Sequence, residues 1–229
     1  MAIGTTSLPE YWSLADFLEH FKEVPLNRIR MNPAPGTATE EDLLRILERE
    51  DRLYELVDGV LVEKTTGIQE SSLAVSVGRF LANFADEHDL GFVTGPDGPF
   101  RLMPKLVRIP DVAFVSWNRV PERMFPAEPI PDLAPNLAVE VLSKSNTKAE
   151  MQRKLKEYFL VGVELVWFVD PVKRRVQVYK SPDESHMIAE EGELDGGTVL
   201  PGFKLPLREL FARVQSPRGA KRKKNGGKR

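Results

Sequence analysis

Seven residues, Leu137–Ala138–Val139–Glu140–Val141–Leu142–Ser143, constrain the fold more than any other stretch of the chain. Five of the seven are apolar, the pattern of a β-strand covered on both faces. Glu140 interrupts that run. An ionised carboxylate buried without a partner is so costly that this side chain requires a cation, a proton or a cleft. A second acid sits in similar company in Leu106–Val115, where Asp111 follows Pro110 and precedes Val112–Ala113–Phe114–Val115. Two acids embedded in two apolar strands point to a metal site built on a sheet.

The flanking segments read as helices and hairpins. Ser13–Asp16 has capping-box spacing ahead of Leu14, Phe17, Leu18 and Phe21, which predicts a short amphipathic helix. Thr39, followed by Glu40, Glu41 and Asp42, opens a second helix whose expected buried stripe is Leu43, Leu44 and Leu47. Asp58–Gly59 predicts a hairpin over 53–63, pairing Val57 with Val60 and Glu55 with Val62. Glu55 then becomes a third acid on an apolar face and joins the candidate catalytic residues; the alternative is an edge position from which it reaches solvent. Residues 71–88 carry helical spacing in Leu73, Val77, Phe80, Leu81 and Phe84. Five prolines between Val120 and Asn136 exclude an α-helix and favour a stiff loop joining the Asp111 and Glu140 strands. Thr147–Glu150 reads as a capping box for a helix striped by Met151, Leu155, Tyr158 and Phe159 and ended by Gly162. A strand over 164–169, a second hairpin through Asp170–Pro171, and a last strand and helical turn around Leu205–Phe211 complete the reading.

Composition removes several chemistries. The 229 residues contain no Cys, which excludes thiolate nucleophiles, disulfides and Cys-ligated zinc. Three scattered histidines argue against a histidine-centred triad or zinc site. No run approaches the eighteen or so apolar residues of a membrane span, and the N-terminus has no basic-then-apolar signal segment. The expected location is cytoplasmic, without a membrane partner. The net charge of −2 hides an asymmetry: residues 218–229 hold seven Lys and Arg and no acid, whereas the remainder carries 25 basic and 34 acidic side chains. Such a tail is suited to gripping phosphates, the alternative being a disordered, solubilising end.

Hard divalent cations such as Mg²⁺ or Mn²⁺ take oxygen ligands, commonly one or two carboxylates completed by water. A cation so held lowers the pKa of bound water and stabilises charge on a phosphoryl oxygen, and a nearby lysine meets the developing negative charge. Asp111, Glu140, a metal and a lysine together would make a phosphodiester-hydrolysing site.

The ordered motifs Tyr54–Glu55–Leu56–Val57–Asp58–Gly59, Ile109–Pro110–Asp111–Val112, Val139–Glu140–Val141–Leu142–Ser143, Lys154–Leu155–Lys156–Glu157–Tyr158, Val166–Trp167–Phe168–Val169–Asp170–Pro171 and Val199–Leu200–Pro201–Gly202–Phe203 resemble the putative restriction endonuclease (Uma-type) branch of the PD-(D/E)XK nuclease superfamily. The resemblance covers about residues 39–211. It implies an α/β (α+β) restriction-endonuclease-like fold, with a central mixed β-sheet flanked by helices. It implies a Mg²⁺-dependent endonuclease acting on DNA, with Asp111, Glu140 and the Val141 backbone carbonyl as metal ligands. By analogy with nucleases that cut both strands as dimers, it also implies a homodimer. The expected organisation is an N-terminal extension with a short helix over 1–38, the nuclease domain over 39–211 and a basic, disordered tail over 212–229.

One departure from the superfamily signature stands out, because Leu142 occupies the usual lysine slot two residues after Glu140. In the branch this chain resembles, the lysine comes from the following helix, which points to Lys154. Lys144 shares the strand face of Glu140 but lies about 13 Å further along it. Lys154 borders the apolar stripe and Lys156 points away from it. Two other readings compete: a catalytically silent nucleic-acid-binding or assembly module on the same fold, and a structural protein whose acids pair with Arg108 or Arg153.

Overall fold

In the computed structural model, residues 12–212 are described; the basic tail expected to grip phosphates lies outside them. Helix α1 (Leu14–His20) starts with the anticipated reciprocal cap between Ser13 and Asp16, and α2 (Glu40–Arg49) with the same arrangement between Thr39 and Asp42. The buried stripe of α2 is Leu43 and Ile46, with Leu44 and Leu47 only half-buried beside them. Of the expected stripe, Leu43 is buried, Leu44 and Leu47 pack against the same cluster from its edge, and Ile46 is added to it.

Strands β1 (Leu53–Val57) and β2 (Val60–Lys64) form the hairpin in the expected register, with Val57 opposite Val60 and Glu55 opposite Val62. Both turn residues, Asp58 and Gly59, adopt positive φ, as two-residue hairpin turns require. A side chain at Gly59 would also run into the Gly36 carbonyl at 2.3 Å, so packing and backbone both demand glycine there. Helix α3 (Ile68–Glu87) follows, burying Leu73, Ala74, Val77, Leu81 and Ala85.

The stretch 106–115, expected as one strand, is two. Strands β3 (Gly91–Thr94) and β4 (Phe100–Met103) precede β5 (Leu106–Arg108), and β6 (Val112–Ser116) resumes after a break at Ile109–Pro110–Asp111. Pro110 has no N–H to give a ladder, so the chain leaves one sheet and enters another at this point. Strand β5 pairs with β1 and β4, whereas β6 pairs with β3 and β7 (Leu137–Val141). Asp111 therefore sits on the seam between two sheets.

Helix α4 (Lys148–Leu160) crosses from β7 to the parallel strand β8 (Leu165–Asp170), and β9 (Arg175–Tyr179) and β10 (Ser185–Ala189) extend the sheet antiparallel. The strand orders are β2-β1-β5-β4 and β10-β9-β8-β7-β6-β3. A small pair of β11 (Glu193–Asp195) and β12 (Lys204–Pro206) leads into α5 (Leu207–Phe211). Among the described residues no α-helix interrupts the proline-rich segment 120–136, and no helix is long and apolar enough to cross a membrane.

Alternation along β7 assigns its two faces. Leu137, Val139 and Val141 pack with α3, α5 and Trp167, while Ala138 shares a cluster with Met151, Leu155 and Tyr158 of α4, with Phe17 of α1 and with Phe21 at its end. Glu140, two residues after Ala138, therefore projects toward α4.

Candidate active site

Beneath α4, Glu140 is nearly fully buried and meets two side chains one helical turn apart. Tyr158 Oη donates to Glu140 Oε1 at 2.6 Å, and Lys154 Nζ stands 3.3 and 3.5 Å from the two carboxylate oxygens. Residues four apart share a helix face, so a single face of α4 supplies both groups. Lys154 Nζ also lies 3.0 Å from Glu55 Oε1, bridging the two acids.

Asp111 is fixed by its own backbone and that of β7. Its N–H donates to the Val139 carbonyl at 3.0 Å, and the Val141 N–H donates to Asp111 Oδ2 at 2.7 Å. The other oxygen, Oδ1, faces Lys64 Nζ at 2.9 Å. Lys64 additionally donates to the Ile109 and Pro96 carbonyls at 2.7 and 3.1 Å, which ties the end of β2 to the seam. Sequence reasoning missed Lys64. The signal was present in the alternation Val60, Val62, Lys64, which places this lysine on the apolar face already assigned to Glu55.

Glu55 does not reach solvent. Strand β1 is interior to its sheet, and the carboxylate is completely buried, accepting from Arg108 Nη1 at 2.8 Å and from the Ile109 N–H at 3.1 Å. The edge reading is thereby corrected: β5 covers the side that would have been open. Arg108 continues to Glu157 at 2.6 Å, and Glu157 to Arg153 at 2.9 Å. Of the three acids, only Glu55 has one of the two arginines that the structural reading named as partners. Asp111 and Glu140 face lysines.

These contacts set the electrostatics. Burial pushes the Glu55 carboxyl upward, but the Lys154 and Arg108 charges outweigh it and hold its pKa at about 2. Glu140 goes the other way: burial raises its pKa, the Asp111 and Glu55 carboxylates raise it further, and Lys154 opposes only in part. Lys154 divides its charge between two acids and stands closer to Glu55, so Glu140 is left as the less compensated partner. Burial works against the Lys154 ammonium, yet the Glu140 and Glu55 carboxylates raise its pKa above the usual lysine value. The Tyr158 hydroxyl is pushed well upward by burial and by Glu140, which keeps it a donor.

The segment before α2 also contributes. Arg28, almost fully buried, donates through Nε to the Glu63 carbonyl at 2.8 Å and through Nη1 to Glu150 Oε2 at 2.9 Å. Glu150 is the residue expected to complete the Thr147 capping box. Thr147 Oγ1 does accept from the Glu150 N–H at 3.1 Å, but the Glu150 carboxylate turns to Arg28, since a charged guanidinium is a stronger donor than a neutral backbone N–H.

Arg28, Lys64, Asp111, Glu140, Val141 and Lys154 line one pocket, whose space of about 10 Å³ suits one water-sized body. Two carboxylates facing one such space fit a hard cation completed by water or backbone oxygen. Among the described residues, no three His, Cys, Asp or Glu side chains gather into a group that would hold a metal by themselves. The fit is therefore to the Mg²⁺ habit of few protein ligands. Lys144 lines the neighbouring groove instead of this pocket, and Lys156 is exposed.

The sequence profile of the Uma2 family, described as "Putative restriction endonuclease", matches residues 40–208. Among solved structures, the fold is similar to "a putative nuclease belonging to DUF820 from Anabaena variabilis ATCC 29413", with a TM-score of 0.64 and 16% identity over 76% of this chain and 97% of that one. No curated protein matches the chain. A restriction-endonuclease-like fold and a profile match spanning the hairpin acid, the seam aspartate, the β7 glutamate and the α4 lysine place this chain in the Uma2 family of restriction-endonuclease-like proteins.

Proposed function

We propose that this chain is a Mg²⁺-dependent endonuclease that hydrolyses phosphodiester bonds of DNA. The observation that carries the reading is the convergence of Asp111, Glu140 and Lys154 on one buried pocket, with the lysine supplied by α4 where β7 offers only Leu142. Asp111 and Glu140, with the Val141 backbone, would hold the cation. When bound, Mg²⁺ or Mn²⁺ supplies an activated water and charge stabilisation on a phosphoryl oxygen.

The remaining work belongs to the chain. Lys154 and Lys64 offer ammonium groups for the negative charge that grows on the phosphate in the transition state. Glu55 does not touch the pocket's open side; it positions Lys154 by sharing its charge. Tyr158 fixes the rotamer of Glu140 by donating to one of its oxygens. Arg28 and Glu150 brace the wall beneath.

The test is incubation of plasmid DNA with the full-length chain and Mg²⁺ or Mn²⁺, beside an Asp111→Ala control. Nicking or linearisation by wild type alone supports the reading. A wild type that binds plasmid but leaves it intact under every divalent cation would favour the silent nucleic-acid-binding module.

A further inference from the structure

Beside the catalytic pocket lies a larger groove of about 550 Å³, the size range of small-ligand sites. It shares Glu70, Ser143 and Asn146 with the catalytic pocket, so the two spaces adjoin. Its walls come from the first turn of α3, from the β7–α4 connection, from α4 and from the β8–β9 hairpin. None of these residues serves the site described above except at that shared border.

The groove has a layered chemistry. Leu142, Met151, Phe168 and Tyr179 line its apolar part, and the Phe168 and Tyr179 rings stand edge to face with centroids 5.0 Å apart. The amides of Asn146, Gln152 and Gln177 stand among them. Lys144, Lys148, Lys173 and Arg175 contribute four positive side chains against the two carboxylates of Glu70 and Asp170. Asp170 is already engaged. Its Oδ1 accepts the Val172 and Lys173 N–H groups at 3.1 and 2.9 Å, and its Oδ2 lies 3.6 Å from Lys173 Nζ and 3.8 Å from Arg175 Nε. A basic groove on a body of 25 basic and 34 acidic side chains, tail excluded, is a local reversal of sign.

An aromatic and aliphatic floor, amide walls and a cationic rim match the parts of one nucleotide: a flat ring, its polar edges and its phosphate. A base within a closed duplex is stacked between its neighbours and cannot reach such a floor; an unpaired one can. We infer, resting on the nuclease reading above, that the groove beside the catalytic pocket seats an unpaired nucleotide of the substrate strand, so that single-stranded or locally unpaired nucleic acid is preferred over closed duplex. The Tyr179 ring provides the stacking surface, and Lys144, Lys148 and Lys173 meet the adjoining phosphates.

Fluorescence anisotropy in EDTA, on the full chain carrying Asp111→Ala so that no strand is cut, tests this. Labelled single-stranded DNA, the same sequence as duplex, and the corresponding single-stranded RNA are the probes. The single strand should bind more tightly than the duplex. Adding Tyr179→Ala should weaken single-strand binding roughly 5- to 150-fold, the range of one lost stacking contact, while Tyr179→Phe retains it. Lys148→Glu, on an exposed rim, provides a second variant that does not depend on the floor staying packed, and it should weaken the single strand as well. If Tyr179→Ala affects RNA and DNA strands alike, the groove takes unpaired nucleotides of either sugar; if DNA alone, it also reads the sugar; either pattern supports it. Duplex bound as tightly as single strand, or folded Tyr179→Ala and Lys148→Glu variants both binding unchanged, would overturn it. Since no cleavage is measured, those results leave the nuclease reading standing. Groove binding without cleavage by wild type would overturn the nuclease reading alone.

Discussion

Lys64 and Asp111 meet at 2.9 Å on the seam of the two large sheets, both side chains almost entirely out of solvent. Each comes from the end of a different structural unit: the close of the β1–β2 hairpin and the proline break between β5 and β6. Their contact couples the four-stranded sheet to the acid that leads into β6 of the six-stranded one, and it gives the candidate site a second lysine.

Lys64→Met removes the charge while keeping much of the stem volume. It takes away the cation paired with Asp111 Oδ1, and breaking a buried pair in this way costs about 3–5 kcal/mol. Urea melts in EDTA should show that loss, and Mg²⁺ should recover part of it by replacing the missing cation. An EDTA melt identical to wild type would mean that Asp111 needs no partner in the empty protein.

Lys154 and Lys156 sit two residues apart on one helix and should behave oppositely. Lys154→Ala should lower cleavage about 10²- to 10³-fold, as removal of a transition-state donor does, with Mg²⁺ and DNA binding retained. Lys156→Ala, exposed, should cut at the wild-type rate. Glu55→Gln should lower kcat with KM unchanged, because it loosens Lys154 without touching substrate. Normal cutting by Lys154→Ala would end its assignment.

Glu140 is the least compensated acid, pressed by burial and by two neighbouring carboxylates. Glu140→Gln should therefore leave the EDTA melting temperature unchanged or higher. It should also lose the stabilisation by Mg²⁺, which for wild type is about 2.7 kcal/mol at a hundredfold excess over Kd. Asp111→Ala should lose the same Mg²⁺ response. If Mg²⁺ raises the melting temperature of wild type and both variants equally, these residues do not hold it.

Away from the pocket, Asp58 sets an acid limit on the hairpin. Burial pushes its carboxyl up, but the His20 Nε2 contact at 2.7 Å and the Arg153 guanidinium at 2.5 Å outweigh this and hold its pKa below the ordinary value of 3.8. A depressed folded-state pKa means stability that is fully present above 3.8 and is lost as the pH falls through the folded value. Asp58→Asn, which tolerates the positive φ of the turn, should then cost stability at pH 5–7 and converge with wild type as the pH falls through the folded value. Parallel melts that stay equally separated from pH 7 down to the acid limit of folding would show that this ion pair does not govern acid sensitivity.

Local pattern was enough to place most elements. The Asp58–Gly59 turn fixed the hairpin register, the Ser13 and Thr39 caps opened their helices, and a carboxylate inside an apolar run marked Glu140 and Asp111 before any contact was known. Such features depend on neighbours within a few residues, so periodicity reveals them. Strands β3, β10 and β11 went unread, because they are short or exposed and carry little apolar alternation.

What the chain could not disclose by itself was which cation meets which acid. Lys64 pairs with Asp111, Arg108 with Glu55, and Arg28, from ahead of the profile match, with Glu150. Each pair joins residues far apart in the chain, and its partner is decided by how two sheets and α4 close on one another. The break at Pro110 is legible as a missing N–H, but only the tertiary structure shows that it carries Asp111 from one sheet to the next. Charge pairing in a buried site is a property of packing: the low dielectric makes every acid take the nearest cation, and nearness is set by the fold.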